Sequence, residues 1–118
     1  MVESVLEKGD FFDAARSAWQ RALDLDPNHL HTLLGKGRYL TMMAFRGGDD
    51  PSKGMAILKK IVERKPGGAI EAQAEFYLGM GYRRLGDEVQ AELRYDNAIR
   101  LDPTWAPPHL AKKAGKYV

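Results

Sequence analysis

The chain contains no cysteine. Disulfide stapling and thiolate chemistry are therefore excluded, and the redox compartment is left open. No apolar run approaches the roughly 20 residues of a membrane span. Met1-Val2-Glu3 does not begin a signal peptide, so the default expectation is a cytoplasmic protein. Neither sign of charge dominates, with 18 basic against 16 acidic residues. A dedicated nucleic-acid binder would normally show a strong basic excess. Catalytic constellations are missing as well. Gly35-Lys36-Gly37 and Gly79-Met80-Gly81 look like pieces of a dinucleotide loop, but both lack the third glycine and the preceding strand. His29 and His31 have no cysteine or acidic ligand in register for a metal. Asp49-Asp50 reads as a helix-capping turn rather than an acidic pair, and Met42, Met43 and Met80 as packing or groove residues rather than cofactor ligands. No Ser/His/Asp or Cys/His arrangement can be assembled. The expectation is a protein that is not an enzyme and carries no cofactor or metal.

What is present is 118 residues, one domain's worth and enough to bury a core. The stretch from Ala72 to Pro103 organises it. Apolar residues at Phe76, Leu78, Tyr82 and Leu85 follow helical spacing, and Leu85-Gly86-Asp87 separates two amphipathic segments. Gly86 can end the first in the left-handed conformation, and Pro103 stops the second. Gly79, Gly81, Ala91 and Ala98 are small where two helices would touch, and Leu78, Tyr82 and Tyr95 are large beside them. Gly79 is expected to lie across from Ala91. This helical hairpin resembles a tetratricopeptide repeat. Leu78, Gly79, Tyr82, Ala91, Tyr95, Ala98 and Pro103 stand at that family's spacing. Glu75 departs from it, since the family usually places Trp there.

The resemblance extends to the rest of the chain. Residues 2–27 read as a partial first repeat, with a short helix over Val2 to Lys8, a Gly9-Asp10 turn, and Ala15, Trp19, Ala22 and Pro27 in place. Residues 28–66 read as a second repeat. Its first helix runs through Leu33, Gly37, Leu40 and Met43, and Gly47-Gly48 stops it. Asp50 is expected to cap the next helix, Ser52 to Arg64, whose buried stripe is Ile57, Leu58, Ile61 and Val62 and whose small contact residue is Gly54. Its inner turn is longer by about five residues, an insertion that loops tolerate. Residues 70–103 are the third repeat. Residues 104–118 are expected to form a C-terminal capping helix over Trp105, or equally the first helix of a further repeat. The implied fold is all-α: six to seven helices in a right-handed superhelical stack of antiparallel pairs.

The resemblance also implies where a partner would bind. The family's groove positions fall on His31, Leu34, Arg38, Thr41 and Met42 in the second repeat, and on Gln73, Phe76, Met80, Arg83 and Arg84 in the third. Apolar anchors mixed with arginines suit an extended or helical peptide with apolar side chains and some acidic character. The clamp that some members use for acidic chaperone tails needs Lys and Asn, but the matching positions hold Leu34, Arg38 and Tyr77. That subtype is rejected. The leading expectation is a protein-interaction module, a scaffold or assembly factor. The alternative is a structural segment that self-associates through open repeat ends, and an RNA-binding helical repeat is a distant third.

Overall fold

Local chemical signals set several of the helix ends in this protein. A computed structural model describes residues 14, 16–47 and 50–116, with backbone alone at 44–47, 115 and 116. The expected Val2–Lys8 helix, the Gly9-Asp10 turn, Ala15 and part of the Gly47–Asp50 turn lie outside the described residues. The described residues form six helices in order: α1 (residues 16–25), α2 (Leu30–Gly47), α3 (Ser52–Glu63), α4 (Gly68–Arg84), α5 (Glu88–Leu101) and α6 (Ala106–Lys116). No strand occurs among the described residues, so the class is all-α.

The α4–α5 turn follows the sequence signals closely. Gly86 takes φ +85°, which only glycine adopts without strain. Its amide donates to the Arg83 carbonyl at 3.0 Å and that of Asp87 to Tyr82 at 2.9 Å, the two bonds of a Schellman stop. Asp87 then caps α5, its carboxylate accepting from the Gln90 amide at 3.1 Å. Before α3 the N-cap is Pro51, which makes no side-chain cap bond, and the Asp50 carboxylate accepts from the Ser52 amide at 3.0 Å and hydroxyl at 2.6 Å. At the start of α2 the cap is His29, whose Nδ1 lies 3.3 Å from the Thr32 amide that donates to it. Two boundaries differ from expectation. α3 ends at Glu63, one residue early, and α4 begins at Gly68, two residues before the expected repeat.

Small residues set the helix contacts. α2 crosses α3 at Gly37 and Gly54; a side chain on Gly54 would meet the Thr41 amide nitrogen at 2.6 Å and the Gly37 carbonyl at 2.7 Å. α4 is the central element, packed on α2, α3 and α5, while α6 packs on α5. The core lies between α2, α3 and α4, where Leu34, Met55, Leu58, Ile61, Ala74 and Leu78 form one cluster. Ala91 and Ala98 are fully buried on α5, as their spacing predicts. The nearest neighbour of Gly79 across the contact is Tyr95 rather than Ala91. A side chain there would meet the Tyr95 ring at 2.5 Å, so the space left by Gly79 holds an aromatic ring.

Candidate partner-binding face

The surface that α2 and α4 share is built around aromatic rings. Arg38, exposed on α2, sets its guanidinium 6.0 Å from the centre of the Tyr77 ring on α4. Tyr77 meets Phe76 edge-on at 5.1 Å, and Phe76 meets Trp105 edge-on at 5.2 Å. Phe76 also tilts against Tyr95 at 5.7 Å. Edge-to-face pairs at these distances are mutually attractive and hold the rings in fixed orientations. Tyr77, Phe76 and Trp105 are each half-buried, giving a firm apolar strip that still reaches solvent. Gln73 and Met80, also half-buried, sit one helical turn to either side of this pair on α4. Trp105, expected beneath α6, is thus part of the strip.

Residues expected in the groove divide into three groups. Arg38, Met42, Gln73, Phe76 and Met80 stand exposed or half-buried, as do His31 and Arg84. His31 lies at the start of α2, its ring 6.1 Å from that of His29. Leu34 and Thr41 are corrected. They lie with Gly37 on the buried face of α2, at 7% and 1% exposure. The Thr41 hydroxyl donates to the Gly37 carbonyl at 2.8 Å, which satisfies it without solvent. Arg83 is also reassigned. It donates to Glu88 at 3.1 Å and to the Ala111 carbonyl at 2.9 Å, and it stacks over Tyr95 at 5.0 Å. This arginine ties α4 to α5 and α6 and is no rim charge.

Glu75 lies beneath α5, 2% exposed. Arg94 donates to its carboxylate at 3.2 Å and Asn97 at 3.2 Å. Burial pushes the Glu75 carboxyl above its ordinary range, outweighing the Arg94 charge and the two hydrogen bonds. The group is therefore a polar clasp between α4 and α5.

Two contributors to the strip, Tyr77 and Trp105, were not among the expected groove residues. The signal for Tyr77 was Arg38, an arginine on the neighbouring helix placed to cover a ring. Among the described residues no group of three or more His, Cys, Asp or Glu could hold a metal ion, and no helix is long and apolar enough to cross a membrane. Comparison with protein-family models, curated proteins and solved structures found no match.

Proposed function

We propose that this chain is a stack of tetratricopeptide-like hairpins that binds a segment of a partner protein on the face shared by α2 and α4. The observation that carries it is the continuous Arg38–Tyr77–Phe76–Trp105 surface, drawn from α2, α4 and the α5–α6 turn. Half-exposed aromatics held rigid by their neighbours are the residues that carry binding energy in interfaces. Arg38 at one end and Arg84 further along α4 favour acidic residues in the partner, beside apolar ones that fill the strip. No catalytic step or cofactor is required.

Packing order supports stacking. α4 contacts both helices of the preceding hairpin and its own partner α5, and α6 contacts α5. The radius of gyration is 15.0 Å, against roughly 13–14 Å for a compact domain of this length. The right-handed curve belongs to the same proposal.

A second reading rests on exposed apolar side chains. Leu25 is 90% and Val89 80% exposed, as edges available to another copy would be. The C-terminal end argues the other way. One repeat length of about 34 residues beyond Leu78 and Gly79 stand Lys112 and Lys113. Lys112 pairs with Asp96 on α5, and Lys113 is exposed. Lysines at those two positions give α6 a polar surface, which disfavours self-association through this helix.

The test is crosslinking capture from the source cell with the parent protein, Arg38→Glu and Tyr77→Ala, with circular dichroism as the folding control. Loss of the same partner from both folded variants is expected. Its retention by both would move the site elsewhere. Sedimentation over a range of concentrations addresses self-association, and a constant monomer mass would dismiss it.

A further inference from the structure

We infer that α6 is a hinged flap, latched to α4 by Arg83, which carries Trp105 on and off Phe76 and so completes or opens the aromatic strip. Its regulatory meaning rests on the strip being the binding face, but the flap itself can be tested without a partner. The anchorage of α6 is thin. Among residues 106–114 Pro108 alone is buried, and Leu110 stands 63% exposed. α4, by contrast, buries Ala72, Ala74, Glu75, Leu78, Gly79 and Gly81. A helix with so few buried contacts opens at a lower free energy than the core it covers.

Polar bonds hold α6 down instead. The Arg83 guanidinium donates to the Ala111 carbonyl at 2.9 Å, Lys112 pairs with Asp96, and His109 Nε2 donates to the Pro103 carbonyl at 2.8 Å. The Lys112–Asp96 pair lies at the surface, where such pairs contribute little. The Arg83 bond is half-buried and charge-assisted, which makes it the stronger tie. Glu88, 3.1 Å away, keeps Arg83 in place when α6 leaves. Arg83 also closes a circuit of contacts. It stacks over Tyr95 at 5.0 Å, Tyr95 meets Phe76 at 5.7 Å, and Phe76 meets Trp105 at 5.2 Å. Both ends of this circuit reach α6, one at Ala111 and the other at Trp105, the residue just before the helix. Pro107 and Pro108 stiffen the first turn of α6, so Trp105 and the helix move together. The pivot is the stretch of Pro103 and Thr104, both exposed.

The experiment is native-state hydrogen exchange by NMR on the full chain, with the Trp105 indole signal followed alongside. In the parent, the Lys112, Lys113 and Ala114 amides should open on the order of a hundredfold more often than those of Leu78 and Ala98. Arg83→Lys keeps the charge but loses the fork that holds Glu88 and Ala111 at once. It should speed α6 exchange about tenfold and shift the Trp105 indole signal, with Leu78 and Ala98 unchanged. Lys112→Glu, which repels Asp96 and lies outside the ring circuit, should move both readouts in the same direction. Exchange of α6 together with α4 and α5 as one unit would overturn the proposal, as would equal acceleration of all three helices in Arg83→Lys. Faster α6 exchange with the Trp105 signal unmoved would overturn it too, because simple fraying of the helix end has that signature. A partner that binds elsewhere would leave these rates as they are, so the flap and the strip fail separately.

Discussion

Glu75 is a carboxylate among buried alanine and leucine, and its consequences can be measured. Its pKa is raised in the folded state, so the native protein holds that proton more readily than the unfolded chain. The Glu75 contribution to stability therefore grows as pH falls from neutral towards the ordinary carboxylate range and shrinks as pH rises through the folded pKa. Asp50 has the opposite sign. The Ser52 side-chain and backbone bonds lower its pKa, so its contribution is present above the unfolded value and lost on acidification. Denaturant unfolding at pH 7 and pH 5 should show the stability difference between the parent and Glu75→Gln shifting in favour of the parent at the lower pH. A difference that does not change would mean that Glu75 titrates normally. Gly79 poses a question of magnitude. Gly79→Ala gains about 1 kcal/mol of helix propensity, but its new methyl would meet Tyr95 at 2.5 Å. Overpacking of this kind costs about 1–3 kcal/mol, so a net loss of stability is expected in thermal unfolding. The polarity of Glu75 was plain in the sequence as a departure from the surrounding pattern. Its partners were harder to find, because Arg94 and Asn97 lie on the facing helix and are matched to it only once α4 and α5 are packed.

Helix ends were legible and helix faces less so. Gly86-Asp87 and Asp50-Pro51-Ser52 specify a stop and two starts through bonds spanning two to five residues, which a sequence can encode locally. The side of α2 that meets α3 depends instead on where Gly37 and Gly54 let two backbones cross. That crossing takes Leu34 and Thr41 out of the surface and leaves Arg38 in it. The α4–α5 contact tests this level most simply. Ala91 is fully buried on α5, and Ala91→Leu should destabilise the protein by about 1–3 kcal/mol or more, since three added carbons must force helices apart. An unchanged melting temperature would show that the register of the third hairpin is wrong.

At the scale of the molecule, α4 joins the parts: it is buried on α2 and α3, clasped to α5 through Glu75, and tied to α6 through Arg83. These ties fix the aromatic strip, because Phe76 and Tyr77 belong to the same helix as Glu75 and Arg83. A rigid strip loses little freedom when a partner binds, which favours affinity. The all-α class and most helix limits could be read from periodicity and turn residues. The strip itself could not, since Trp105 reaches Phe76 from 29 positions along the chain. The central claim is that a partner lies on this face, and site-specific photocrosslinking tests it most directly. A photoreactive residue at position 38 is compared with one at position 89, which is 80% exposed on α5. The account predicts a partner crosslink from position 38 and none from position 89. A crosslink from position 89 alone would contradict it.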